Sequence, residues 1–442
     1  RDPVPGALLI SLLATLGSVI LTFRALEEEG LSPAQRSAAI LMLIVSPRLL
    51  YLDSAGMEGT LAIAIMAASW LAYRRERWVA TGVLLGVLLW VRLDTALWVL
   101  ILVAGACLKK PTHGGLVALA AGITYLPWVV YAWRMFGSPV PLTVTAKYWA
   151  YFIQGKTVAA PFLEPPLSML LNRLEPLFRV LERMNPFGTR SPIAPWSALS
   201  TIISTLLAMS AIFYAWKNRI LRELTLFSLL ETARLLVLRQ TFFDRYFMPV
   251  IWANSILIGF WVGSIVERRS GLFSRRGAWV LIPVLILIMT TAAIGRNAHN
   301  LRQLQQVRNE ASLRSIGLWL RQNTSPHTTV QLEPLGYIGY YSNRIMLDEV
   351  GLVTPQVIEL KKRGITQPLS MIPYLSPDSL VIHCDDALSI EEEAGWQVQN
   401  LGHEYYFAVR FDPLHFRTDQ GLPEADQPLA RASCYEVWQT VP

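Results

Sequence analysis

The sequence predicts a polytopic α-helical membrane protein with about ten transmembrane helices and a C-terminal extracytoplasmic α/β domain. Hydrophobic residues make up 53% of the 442-residue chain and charged residues only 16%, against about 25% charged in an ordinary soluble domain. Basic residues exceed acidic ones up to residue 295, and the reverse holds beyond it. We therefore expect a membrane domain at 1–295 and a water-soluble domain at 296–442.

Apolar runs in the first part predict the membrane helices in order. They lie at 5–23, 38–52, 55–73, 79–91, 95–108, 115–133, 197–216, 224–238, 247–266 and 277–294. Arg and Lys clusters fall in alternate loops, at 74–77, 109–110, 217–222 and 268–276. Because cytoplasmic loops are rich in Lys and Arg, these clusters report membrane topology rather than a nucleic-acid partner. The other loops, and everything after residue 295, are then extracytoplasmic. No signal-peptide pattern precedes the first run, so we expect the natural N-terminus upstream of Arg1.

Two of these runs, at 79–91 and 95–108, are too short to span. As helices they would rise about 20 Å, against about 30 Å for the hydrocarbon core. They predict a hairpin whose tip, Arg92 to Asp94, stops below the outer surface. Charges at that depth must line a wet cavity or pair with one another. The alternative is an Arg–Asp pair that only caps two helices.

The long outer loop at 134–196 and the polar tail have patterns of their own. Helical spacing at 167–184 predicts an amphipathic helix, either on the outer membrane surface or packed against the tail. In the tail, a helix is expected at 300–321 and strands at 328–332, 379–383, 405–411 and 435–438. Cys384 and Cys434 lie in the tail, where an oxidising compartment could pair them. Cys107 lies in an apolar run and is expected to be a small buried hydrophobe.

Sequence templates of common soluble enzymes are absent from the chain. There is no P-loop, GxGxxG fingerprint, HExxH or GxSxG elbow, and the six histidines are scattered. We therefore expect neither a resident metal nor another cofactor. Asp385 and Asp386 leave a divalent cation open as an alternative, although a solvated strand end is the preferred interpretation.

Polar residues converge on the predicted outer side. Its cations are Arg92, Arg134, Lys147 and Arg245, and its other candidate site residues are Glu58, Asp94 and Tyr246. Cations are normally depleted on this side, so their excess suggests an anionic ligand. Arg binds phosphate oxygens bidentately and Lys binds them as a point charge, which favours a lipid phosphate or diphosphate. Interfacial snorkelling is the alternative.

Several short motifs on this outer side carry a family resemblance. Residues 54–61 (SAGMEGTL), Gly82, Gly86 and 92–94 (RLD) resemble the SGMET-L…G-L-G-L…RPD pattern of bacterial polytopic glycosyltransferases of the glycosyltransferase C superfamily. Gly59 interrupts the usual Glu-Thr pair, and Leu93 replaces proline. Three further matches are 136–147 (FGSPVPLTVTAK) to YG-PLPNT--AK, 245–246 to RY, and 336–353 to G-IGYYS…D--GL. Mycobacterial terminal arabinofuranosyltransferases and related mannosyltransferases are examples of this group.

The resemblance implies a multi-pass enzyme of the bacterial plasma membrane. It would transfer a sugar from a polyprenyl-phosphate donor to a glycan or glycolipid acceptor on the outer face. A carboxylate in the first large outer loop serves as base in such enzymes. That loop is expected before residue 1, and Asp94 is the reserve candidate within the chain.

The local chemistry supports the remaining roles. Arg92, Lys147 and Arg245, with Arg134 as a fourth, would hold the donor phosphate. Glu58 and Asp94 would orient sugar hydroxyls or position those cations, and Tyr246 would also orient the substrate. Tail residues Tyr337, Tyr340 and Tyr341 could stack on sugar rings or belong to the core. A lipid-linked glycan transporter, or a non-catalytic subunit that binds polyprenyl phosphate, is the competing interpretation, because the same cations would serve translocation.

Overall fold

The computed structural model describes residues 4–53, 58–139, 142–147, 180–186, 194–237, 244–268, 304–384, 405–411 and 434–440. These residues are mostly helical, with a small sheet near the C-terminus. The chain divides into two compact units. Unit 1 comprises Arg1–Trp128 and Glu164–His299, and unit 2 comprises Val129–Leu163 and Asn300–Pro442.

Unit 1 is built from apolar helices. They are α1 (Val4–Glu28), α2 (Pro33–Ile44), α3 (Pro47–Asp53), α4 (Glu58–Arg74), α5 (Trp78–Val91), α6 (Ala96–Lys109), the first part of α7 (Pro111–Phe136), α9 (Ala194–Lys217), α10 (Arg222–Val237) and α11 (Met248–Arg268), while the short α8 (Leu142–Lys147) belongs to unit 2. Local signals fix some of their ends. At α2, the Ser32 hydroxyl accepts from the Gln35 amide and the Gln35 side chain accepts from the Ser32 amide, which forms a capping box.

Three helical segments are long and apolar enough to cross a membrane: Gly6–Glu28, Pro111–Met135 and Arg245–Arg268. They indicate a membrane protein, but the expectation of about ten spans is not supported within the described residues. The physical reason is length, since α2, α5 and α6 contain 12, 14 and 14 residues, against about 20 for a span. The apolar run at 277–294 lies outside the described residues.

Pairs of glycines spaced four apart bring the helices of unit 1 into close contact. A Cβ on Gly259 of α11 would lie 2.4 Å from the Ala39 Cα of α2, and one on Gly263 would lie 2.7 Å from the Gln35 Cα. Gly82 of α5 faces the backbone of α7 in the same way, with the Val117 carbonyl oxygen 2.4 Å from the position of a Cβ. Backbones approach this closely only where side chains are missing, as in the small-xxx-small contacts of membrane helices.

Helix α11 is buried along most of its length, whereas α1 and α7 are mainly exposed. Its Trp252 ring packs edge-on against Trp70 and Trp98. The indole N–H of Trp252 donates to the Thr22 hydroxyl at 3.2 Å, and that of Trp98 donates to the Ser69 hydroxyl at 3.1 Å. These hydrogen bonds satisfy indole donors that would otherwise be costly to bury.

Two sequence predictions for the membrane part have mixed outcomes. Cys107 is exposed, so the expectation of a buried cysteine is wrong. Its sulfur lies against Gly114 of α7, which has no side chain to cover it. Of the amphipathic helix expected at 167–184, residues 180–184 are helical with Val180 and Met184 buried. The rest of that segment lies outside the described residues.

Unit 2 contains a five-stranded sheet of order β2-β1-β3-β5-β4. Its strands are β1 (Thr329–Leu332), β2 (Ile345–Asp348), β3 (Ser379–His383), β4 (Tyr405–Phe411) and β5 (Tyr435–Thr440). Strand β1 pairs in parallel with β2 and β3, and β5 is antiparallel to β3 and β4. The expected α/β domain is therefore present. Strand β2 was not predicted, because its four residues show no apolar–polar alternation.

Helices cover both faces of this sheet. They are a π-helix over Leu304–Arg314, α12 (Ser315–Asn323), α13 (Leu335–Ser342), α14 (Pro355–Lys362) and α15 (Ile372–Leu375). Val330 of β1 packs with Ile316 and Ile338 on one face, while Leu380 of β3 packs with Ile372 on the other. Because successive strand residues point to opposite faces, one sheet can supply two cores.

A disulfide fastens the antiparallel part of the sheet. Cys384, next after β3, is bonded to Cys434, which immediately precedes β5. The Cys384 amide also donates to the Cys434 carbonyl oxygen at 3.1 Å. The pairing that the sequence left open is thus confirmed.

Candidate functional site

A charged turn joins the two short helices α5 and α6. Arg92 follows α5 in an extended conformation, and Leu93–Thr95 form a 3-10 turn that leads into α6. The Arg92 guanidinium binds the Asp94 carboxylate through two hydrogen bonds, Nε to Oδ1 at 3.0 Å and Nη2 to Oδ2 at 2.6 Å. Only 3% of the Arg92 side chain is exposed. The sequence left pairing open as one of the outcomes for the charges at the tip of this short hairpin, and the bidentate geometry makes the pair a strong one.

Arg92 also holds the segment that precedes α11. Its Nη1 donates to the Arg245 carbonyl oxygen at 2.9 Å, within a 3-10 turn over Asp244–Phe247. The Tyr246 ring lies 5.3 Å from the Arg92 guanidinium and 5.7 Å from that of Arg245. Both distances are within cation–π range. Three residues that the sequence assigned to one site are therefore in contact.

Glu58, the first residue of α4, approaches the same Arg92 nitrogen that binds the Arg245 carbonyl, Nη1. Its Oε1 is 3.8 Å from the Arg92 Nη1, and 43% of its side chain is exposed. The following residue, Gly59, keeps this contact open. A Cβ there would meet the Met248 sulfur at 2.2 Å and stand 3.5 Å from the Arg92 Nη1. The glycine that departs from the family motif thus lies against Arg92 and the start of α11.

A second buried ion pair, missed from the sequence, lies close to the first. Glu231 and Arg234 of α10 form two hydrogen bonds, Nε to Oε2 at 2.8 Å and Nη2 to Oε1 at 2.5 Å. Glu231 is buried, and the charge of Arg234 acts on Asp94. The available signal was a pair of opposite charges spaced i, i+3 inside the apolar run at 224–238.

These side chains form what we call the charged cluster: Glu58, Arg92, Asp94, Glu231, Arg234, Arg245 and Tyr246. It holds equal numbers of carboxylates and guanidiniums. Arg92 and Asp94 neutralise each other and set the geometry, whereas Glu58 and Arg245 retain exposed surface. The arrangement suits a polar ligand that brings its own negative charge to Arg245 and a hydroxyl to Glu58.

Arg134 and Lys147 belong to unit 2, whereas Arg92 and Arg245 belong to unit 1. Arg134 is exposed near the end of α7. Lys147 ends α8, which packs against α14, and its side chain lies outside the described residues. The excess of cations predicted on the outer side therefore depends on these two residues, because the charged cluster of unit 1 is balanced.

The tail motifs have structural roles in unit 2. The fully buried Asp348 accepts backbone N–H bonds from Val350, Gly351 and Val353 at 2.9–3.1 Å, which folds the loop after β2. Tyr337 and Tyr341 pack together and are partly buried. Tyr340 is 54% exposed. Of the three tyrosines considered for sugar stacking, Tyr340 therefore presents the most surface.

Metal ligation has no geometric support in the part of the chain that the structure describes. No group of three His, Cys, Asp or Glu side chains there could hold an ion. Asp385 and Asp386 lie outside the described residues.

Comparison with known protein families matches the C-terminal part of the chain. A family model described as "Domain of unknown function (DUF8728)" matches residues 299–432, all of which except His299 belong to unit 2. No curated protein matches the chain.

Proposed function

We propose that this protein is a membrane glycosyltransferase of the bacterial plasma membrane. It transfers a sugar from a polyprenyl-phosphate donor to a cell-envelope glycan or glycolipid on the outer face. Unit 2 is extracytoplasmic in this proposal, and its disulfide supports that side, because disulfides persist in oxidising compartments. About ten membrane-spanning segments remain part of the proposal.

The charged cluster is the observation that carries this proposal. Buried ion pairs inside a unit of apolar helices are costly unless they serve a function or satisfy one another. Here the Arg92–Asp94 pair orders the Arg245–Tyr246 segment through one hydrogen bond and one cation–π contact. Two partly exposed groups of opposite charge, Glu58 and Arg245, are held beside it. This is the chemistry needed for a substrate with both phosphate and hydroxyl groups.

Each member then has a stated role. Arg245 binds the donor phosphate and stabilises the charge that develops on it as the sugar leaves. Arg92 is a positioning residue, because Asp94 and the Arg245 carbonyl occupy its guanidinium. Lys147 and Arg134 keep the donor-phosphate role that their charge favours. The proposal needs no metal, since the cations supply the charge stabilisation.

The test is transfer of radiolabel from a panel of polyprenyl-phosphate sugars to endogenous acceptors, in membranes that contain the full-length protein. We expect Arg245→Ala to lower transfer by about 10²-fold, as for loss of one charge-stabilising donor, and Arg92→Ala and Lys147→Ala to lower it too. Arg77→Ala is the matched control, because Arg77 is an exposed cation beyond the opposite end of α4.

The outcomes separate the two classes of function. Label that reaches glycan and is lost in the Arg245 variant at normal expression supports the enzyme. Donors that bind without any transfer by the full-length protein would instead favour a lipid-linked glycan transporter or a binding subunit.

A further inference from the structure

We infer that Glu58 is the general base that removes the proton from the acceptor hydroxyl. This inference rests on the proposed function. Among the described side chains, the charged cluster contains three carboxylates: Glu58, Asp94 and Glu231. A general base must be able to reach its substrate. It must also have a carboxylate oxygen that can accept a proton and is not already held in a strong ion pair. These two conditions separate the three carboxylates.

Asp94 and Glu231 fail the second condition. Both oxygens of each carboxylate accept a hydrogen bond from an arginine, Arg92 in one case and Arg234 in the other. Glu231 is also buried. A carboxylate in a bidentate pair with a guanidinium is neutralised by it, so these two side chains hold the site together.

Glu58 meets both conditions. Its side chain is 43% exposed, and its contact with Arg92 is a single 3.8 Å approach, beyond hydrogen-bond distance. The carboxylate therefore stays close to a fixed cation while its oxygens remain accessible to a hydroxyl. Gly59 adds no side chain that would cover this position, and α4 fixes the Glu58 backbone.

The step balances with groups already named. A Glu58 oxygen accepts the hydroxyl proton, and the acceptor oxygen forms a bond to the anomeric carbon of the donor. The bond between that carbon and the phosphate oxygen breaks, and its electron pair leaves with the polyprenyl phosphate beside Arg245. The proton on Glu58 is then lost to water. The family resemblance implies a carboxylate base in the first large outer loop, and Glu58 is the alternative that the described residues offer.

A nucleophile that carries no proton tests this assignment. Azide can displace the lipid phosphate without a base, so it bypasses the step assigned to Glu58. Full-length protein in membranes is given a radiolabelled donor with either the glycan acceptor or sodium azide, and both products are measured. The variants are Glu58→Gln, Glu58→Asp and the control Glu76→Gln, an exposed carboxylate beyond the opposite end of α4.

We expect Glu58→Gln to lower hydroxyl transfer by about 10²–10⁴-fold, with azide transfer close to wild type. Glu58→Asp should recover part of the hydroxyl transfer, and Glu76→Gln should change neither product. Loss of both products in Glu58→Gln at normal expression would overturn the inference and make Glu58 a substrate-positioning residue. Normal hydroxyl transfer in that variant would also overturn it while leaving the proposed function intact. Wild-type protein that forms neither product would refute both.

Discussion

Replacing Asp94 by alanine should destabilise unit 1 far more than an ordinary surface change. The substitution leaves the Arg92 guanidinium without its bidentate partner, and only 3% of that side chain is exposed. Removal of one partner from a buried ion pair costs about 3–5 kcal/mol. Arg92 keeps its bond to the Arg245 carbonyl and the Asp94 site is itself 20% exposed, so we expect the lower end, about 3 kcal/mol.

The assay is thermal unfolding of the detergent-solubilised full-length protein, followed by tryptophan fluorescence. At about 2–4 °C per kcal/mol for a unit of this size, the midpoint should fall by about 6–12 °C. The double variant Arg92→Met/Asp94→Leu removes both charges and should recover most of the loss, because no unpaired charge stays buried. An Asp94→Ala midpoint within 1 °C of wild type, or a double variant less stable than the single one, would refute the reasoning.

Three further predictions concern stability. Cys384→Ser should lower the free energy of unfolding of unit 2 by about 4 kcal/mol, as expected for opening a loop with a sequence separation of 50 residues, and reductant should reproduce this shift in the wild type only. Burial raises the pKa of Tyr405 to about 12. The resulting contribution to stability should be fully present below about pH 10, the pKa of tyrosine in the unfolded chain, and should be lost as the pH rises toward 12. Wild type should therefore lose more stability than Tyr405→Phe between these two pH values. Gly259→Ala should lower the free energy of unfolding by about 2 kcal/mol, because the new Cβ would meet the Ala39 backbone, and the melting midpoint should fall accordingly. Gly115→Ala is the control, because the space around Gly115 is open.

Periodicity and hydropathy predicted the parts of the fold that depend on single segments. The helical tail segment and four of the five strands were found where apolar patterns placed them, and the Arg92–Asp94 hairpin was predicted from run length. Strand β2 was missed because its position is defined by its pairing with β1, and this pairing produces no recognisable pattern in the four residues of β2. The predicted runs at 5–23, 115–133 and 247–266 are found as helices long enough to span a membrane. The run at 38–52 is divided between α2 and α3, since an apolar run need not continue as one helix of membrane length.

The charged cluster was predicted only in part. Their shared position on the predicted outer side correctly placed Arg92, Arg245 and Glu58 in one site. This prediction was possible because the position of a residue next to a helix end is closely restricted by that helix. Glu231 and Arg234 were overlooked, since two charges inside an apolar run were absorbed into a predicted span. Sequence order also gave no means of assigning Arg134 and Lys147 to a different compact unit.

The two hydrogen-bond partners of Arg92 are synthesised at different times. Asp94 is only two residues away, so its carboxylate can neutralise the guanidinium as soon as the turn leaves the ribosome. The Arg245 carbonyl is 153 residues further along the chain and must wait for synthesis of the late helix α11. A chain is synthesised from its N-terminus at about 5–20 residues per second. Arg92 and Asp94 can therefore pair about 8–30 s before the Arg245 carbonyl has been synthesised. We therefore expect the neutral pair to form first, and the bond to the Arg245 carbonyl to form only when translation has passed residue 245.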